Sequence, residues 1–109
     1  IQKILADDPE ILEKGIKFLG ANVETESGEI DLLLQDSENK IAVVEIETRA
    51  SEPAVAQVSR LAVGYSLKAK ISQNKIRKII VCEQFDENTV NACQGANVGL
   101  YKVDIRRIV

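Results

Sequence analysis

The chain contains no histidine, and that absence removes whole classes of chemistry. Ser-His-Asp and Cys-His nucleophile systems, HExxH zinc hydrolases and nucleases with a histidine base all depend on the imidazole. Any hydrolysis here must use carboxylates, amines or a hard metal ion. Cysteine is nearly as scarce, with Cys82 in an apolar run and Cys93 in a helical pattern. Both are expected as small core residues rather than a disulfide, which suits a reducing, cytoplasmic compartment. Two cysteines are also too few for a structural zinc site. With two Phe and two Tyr, no stacking platform for single strands is evident. No apolar run approaches the ~20 residues of a membrane span. A net charge of −3 gives no global attraction to nucleic acid, although local basic patches can still bind phosphates.

What is present describes an ordinary globular domain. The 109 residues are 45% hydrophobic and 28% charged, enough for one domain around one core. The chain opens at Ile1, without Met, in what reads as the middle of a helix. A fragment of a longer protein, or a stand-alone module, is therefore expected, and no targeting signal is visible.

Along the chain, "IQKILADDPEILEKG" reads as a helix end, a break at Pro9 and a short turn stopped by Gly15. "IKFLGANVETESG" reads as an irregular first strand. Residues 29–35 and 40–48 form a hairpin around the turn "DSEN". The second of these strands is apolar on both faces as far as Val44, so it should be central. A connection at residues 36–40 would set Leu33 beside Val43 and Asp31 beside Glu45. Ser51 is the expected N-cap of a helix over 52–70, with Val55, Val58, Ala62, Tyr65 and Ala69 on its apolar face. Gln57, Arg60, Gly64 and Lys68 fall on a more polar side. "KIIVCE" reads as a buried strand, Asp86 caps a short helix ending at Gly95, and "VGLYKVDI" supplies a last strand. That strand-helix-strand unit should be parallel.

The stretch "EIETR", residues 45–49, carries the chemistry. In an extended chain Glu45 and Glu47 follow Val43 on one face, and unit charges ~5 Å apart at an effective dielectric of ~20 repel by roughly 3 kcal/mol. With Asp31 they make an oxygen-rich pocket suited to Mg²⁺ or Mn²⁺, which take carboxylates and a carbonyl while keeping waters. The bland alternative pairs Glu47 with Arg49 and leaves Asp31 and Glu45 at a solvated sheet edge.

"GEIDLLLQDSENKIAVVEIE", residues 28–47, resembles the core of the PD-(D/E)XK nuclease superfamily, in which an Asp on one strand precedes Glu-x-Lys on the next. The resemblance extends over nearly the whole chain to the nuclease domain of the NucS/EndoMS mismatch-endonuclease group. "DDPEILEKG" is similar to its helical lead-in, "QVSRL" to its Gln-containing helix motif and "VGLYKVDI" to its closing strand. The resemblance implies a restriction-endonuclease-like α/β fold with a mixed central sheet flanked by helices. It implies Asp31, Glu45 and the Ile46 carbonyl as metal ligands, Gln57 beside the metal-water site, and Mg²⁺ or Mn²⁺ as cofactor. Glu47 stands where most relatives have lysine. It could itself serve as ligand or base, Arg49 or Arg60 could stand in for the missing cation, or the domain could be catalytically dead.

The group also uses a glutamate from a helix upstream of Ile1 and a separate N-terminal DNA-binding and dimerisation domain. Expected DNA contacts are Arg49, Arg60, Lys68 and Lys70, with basic clusters at Lys75, Arg77 and Lys78 and at Arg106 and Arg107. The expected activity is metal-dependent hydrolysis of DNA phosphodiesters, in repair or restriction, with a homodimer needed to cut both strands. The alternatives are an inactive module that binds nucleic acid or assembles with partners, and a nuclease acting on RNA.

Overall fold

In the computed structural model, which describes residues 1–104, five strands form one sheet in the order β1-β2-β3-β4-β5. They span Lys17–Thr25 (β1), Gly28–Gln35 (β2), Ile41–Arg49 (β3), Ile76–Gln84 (β4) and Val98–Lys102 (β5). The helices are α1 (Gln2–Asp7), α2 (Glu52–Ala69) and α3 (Glu87–Ala96), with 3-10 turns at Pro9–Ile11 and Gln73–Lys75. β1, β2 and β3 pair antiparallel in succession, whereas β3, β4 and β5 are mutually parallel. This is the mixed α/β sheet expected, and no helix among the described residues is long and apolar enough to cross a membrane.

β3 lies in the middle because both of its faces are apolar. Val43 packs with Leu33, Val58, Leu61 and Ile80 under α2, while Ala42 and Val44 pack with Leu5, Leu34, Ile79 and Val81 on the opposite side. The hairpin register is the expected one, with Leu33 opposite Val43. Cys82 and Cys93 are free and buried in the α2-side core.

Several local expectations change. Ser51 occupies the N-cap of α2 but its side chain makes no capping bond, whereas Asp86 does cap α3, accepting from the Thr89 N–H at 2.9 Å. Leu61, outside the apolar stripe expected from spacing, is fully buried. Gly64, expected on the polar side, is buried too: a Cβ there would come within 2.8 Å of Ser27 Oγ and Thr25 Oγ1. α2 thus presses on the β1-β2 turn through a wider arc than the spacing implies, and Ala69 is exposed.

The basic cluster at Lys75, Arg77 and Lys78 does not exist as one surface. β4 begins at Ile76, so Arg77 and Lys78 alternate to opposite faces. Arg77 donates to Glu13 at 2.7 Å, to Asp36 at 3.2 Å and to the Tyr101 hydroxyl at 3.2 Å, while Lys78 donates to the Ala96 carbonyl. Arg106 and Arg107 lie outside the described residues.

Arg77 ties the lead-in segment, the 36–40 turn and β5 to one strand. Burial alone would raise the Asp36 carboxyl, but N–H donors from Lys40 and Glu38, together with Arg77, hold it below its ordinary range. A lowered folded pKa adds stability that is present above pH ~4, the unfolded value, and is lost as pH falls through the folded one. Arg77→Met is expected to cost about 2–4 kcal/mol in urea denaturation at pH 7, since it strands a buried carboxylate. It should also move the acid-unfolding midpoint upward.

Candidate active site

The ladder between β2 and β3 runs only from Gln35–Ile41 to Leu32–Val44. Side chains take over at the next step. The Asp31 N–H donates to Glu45 Oε1 at 3.3 Å, and the Ile46 N–H donates to Asp31 Oδ2 at 2.8 Å. Two carboxylates therefore bridge the place where the strands part, each holding a backbone N–H of the other strand.

The parting coincides with an irregularity on the other side of β2. The β1 ladder pairs Ala21 with Leu32 and Val23 with Ile30, passing over Asn22, which has a left-handed φ of +52°. Residues two apart in a regular strand share a face. Here Ile30 faces the α2-side core and Leu32 the opposite core, so β2 changes face at Asp31.

A cleft of about 380 Å³ opens there, lined by Gln2, Asp31, Ile46, Glu47, Thr48 and Glu83. Glu45 is 4% exposed and lies behind it, not at a solvated edge. Burial, then the Asp31 charge, push the Glu45 carboxyl up to about 7, against the lowering effect of the Asp31 N–H; Glu47 and Glu29 add to the rise. Burial and Asp31 raise Glu47 as well.

No ion pair among the described residues reaches Asp31, Glu45 or Glu47. Arg49 does not pair with Glu47: it stands 3.9 Å from Asp86 and donates to Gln84 at 3.4 Å. Its partners are thus on β4 and at the start of α3, across the end of the sheet. Among the described residues, no three His, Cys, Asp or Glu side chains are grouped so as to hold a metal by themselves.

The structure gathers Asp31, Glu45, Ile46 and Glu47 but not the other expected residues. Gln57 and Arg60 are exposed on α2, without a hydrogen bond to the carboxylates, and Lys68 donates to the Glu24 carbonyl. Lys70 and Lys75 are exposed. Glu83 is an addition that the sequence does not announce. Only the parallel register, which sets Glu47 beside Cys82, brings it to the cleft, and that register is not written in either strand alone.

Comparison with known proteins supplies a family and a fold. A family model described as the endonuclease NucS C-terminal domain matches residues 1–107. Endonuclease NucS of Methanocaldococcus jannaschii is 33% identical over 75 residues, 68% of this chain and 28% of its own length. A crystal structure of a repair endonuclease from Pyrococcus abyssi superposes with a TM-score of 0.83 at 19% identity, covering 94% of this chain and 44% of that one. The structure of an EndoMS-dsDNA complex gives 0.82 at 21% identity, covering 94% and 42%. The chain therefore spans less than a third of that curated relative and less than half of those solved chains.

Proposed function

The chain belongs to the endonuclease NucS C-terminal domain family, and from that membership we propose that it carries a Mg²⁺- or Mn²⁺-dependent centre hydrolysing DNA phosphodiester bonds. The observation that supports this best is the Asp31-Glu45 pair. Two carboxylates share a strand break, one of them buried, with no cation among the described residues paired to either. Like charges so placed raise the free energy of the metal-free fold, and a hard divalent cation would neutralise them.

The donor set fits such an ion. Magnesium is commonly held by one or two carboxylates and keeps several waters for substrate phosphate, so three protein carboxylates are not required. Asp31, Glu45 and the carbonyl of Ile46 would be the ligands. When bound, the ion supplies Lewis-acid polarisation of the scissile phosphate and a water of lowered pKa. Asp31 and Glu45 keep their places through the backbone N–H groups they hold. Glu47 lines the cleft and has a raised pKa, and it would accept a proton from an attacking water. Gln57 would orient water only after a rotation of its exposed side chain, and a duplex crossing the cleft would meet Arg49 and Arg60 from the flanking surfaces. Action on DNA rests on the relatives, one of which was solved with double-stranded DNA, and the PD-(D/E)XK assignment with Glu-x-Glu rests on the motif. Cutting both strands requires two such domains, most simply a homodimer.

One observation favours a second reading, an inactive module that binds nucleic acid. Glu47 stands where the motif it resembles has lysine, and no cation among the described residues pairs with the cluster. Plasmid, mismatched and branched DNA, with an RNA competitor, incubated with Mg²⁺ or Mn²⁺ distinguish the two. Cleavage by the unmodified protein that Asp31→Ala removes supports the nuclease. Cleavage only by Glu47→Lys supports a disabled one.

A further inference from the structure

The step at which β2 changes face is held by Gln2, a side chain that arrives from outside the sheet. Its Nε2 donates to the Asp31 backbone carbonyl at 2.8 Å and to Asn22 Oδ1 at 3.2 Å. Asn22 is the left-handed residue over which the β1-β2 register passes, and its own Nδ2 donates to Glu29 Oε1 at 2.8 Å. Asp31 is thereby held at three atoms: its N–H by Glu45, its Oδ2 by the Ile46 N–H and its carbonyl by Gln2.

These three bonds constrain Asp31 differently. The first two join it to β3 but by themselves leave its carbonyl end free to turn, a rotation that would draw the carboxylate off the Ile46 N–H. The bond from Gln2 opposes that rotation, because it fixes the carbonyl end against α1 and, through Asn22, against β1. Gln2 itself is half-buried and lines the cleft, so its amide sits close to the carboxylates without pairing to them. A directional amide donor holds a carbonyl at one angle, and its charge neutrality leaves the carboxylates free for a cation.

We propose that Gln2 is a positioning residue: by holding the Asp31 carbonyl at the strand step, it sets the direction of the Asp31 carboxylate and hence the Asp31-Glu45 geometry offered to a divalent cation. The cation part rests on the function proposed above, whereas the placement of Asp31 does not. Outer groups that orient metal ligands typically change metal affinity by 10–100-fold when removed.

Gln2→Met keeps the length and removes the donors. In metal-free, ¹⁵N-labelled protein, the Ile46 amide reports its bond to Asp31. Its exchange with solvent is expected to accelerate at least about tenfold in Gln2→Met, and the dissociation constant for Mn²⁺ alone, read by calorimetry, to rise about 10–100-fold. Asn22→Gly, which tolerates the left-handed backbone and removes the amide relay, is expected to shift both in the same direction by less. Lys3→Ala, which breaks an exposed ion pair with Asp7 on the same helix, should leave both at the unmodified values. If Gln2→Met and Asn22→Gly lower only the melting temperature, with Ile46 exchange and Mn²⁺ affinity unchanged, the positioning role is overturned. If the unmodified protein binds no Mn²⁺, the metal-centre reading fails, and the Ile46 amide alone upholds or overturns the role of Gln2.

Discussion

Metal-free Glu45→Gln at pH 8 is expected to be more stable than the unmodified protein by about 2–3 kcal/mol and, under the nuclease function proposed above, to cleave DNA roughly a thousandfold more slowly or worse when metal is supplied. The two effects share one cause. Glu45 is buried beside Asp31, and its folded pKa of about 7 stands well above the ordinary 4.5. A carboxyl raised in this way destabilises the fold once it ionises. The penalty is absent below about pH 4, grows as pH rises toward 7 and is constant above that. Glutamine keeps an oxygen for the Asp31 N–H and removes the charge. Urea denaturation with a chelator present should therefore show the two proteins converging at pH 4–5 and separating at pH 8. Added Mg²⁺ should narrow the difference by stabilising only the unmodified protein. Equal stability at pH 8 would mean that Glu45 is solvated after all.

Leu61→Ala is expected to lower stability by about 3–4 kcal/mol, a large part of what a domain of this size possesses. Leu61 is fully buried where α2 lies across the sheet, in the cluster with Ile30, Leu33, Val43 and Ile80. Its neighbourhood resists collapse into the space left behind. A Cβ at Gly28 would already lie 3.4 Å from Leu61 Cδ2, and Gly64 holds the next turn of the helix tightly against Thr25 and Ser27. The change should appear in the denaturation midpoint, with the proposed metal affinity unaltered at temperatures where the variant stays folded. A loss under 1 kcal/mol would show that α2 is loosely seated.

Leu61 also shows where a sequence stops being readable. Helical spacing identifies Val55, Val58 and Ala62 as buried because each recurs on one narrow stripe. The sheet instead covers a broad arc, and which flanking residues it covers depends on how the helix lies over it. Strands are more legible. Apolar residues on both faces make β3 central, and the turn length alone sets Leu33 opposite Val43. That register also brings Asp31 near Glu45, yet it cannot show the ladder giving way to side-chain bonds there. The break lies beside Asn22, a residue whose left-handed backbone has no signature beyond its tolerance for positive φ. Glu83 and the two faces of Arg77 and Lys78 stay hidden for a related reason. Each depends on where β4 begins and how it registers with β3, a matter of pairing between segments far apart in the chain.

β1 has one further consequence. It is an edge of the sheet, nine residues long, with Phe18 and Leu19 exposed. Such an edge invites another chain to add itself and begin an aggregate. Its register shifts between Phe18 and Gly20, and the backbone turns left-handed at Asn22. An incoming strand would find no straight run of matching donors and acceptors longer than a few residues. The irregularity beside the carboxylates thus doubles as a guard against self-templating, and straightening β1 to stabilise the protein would remove that guard.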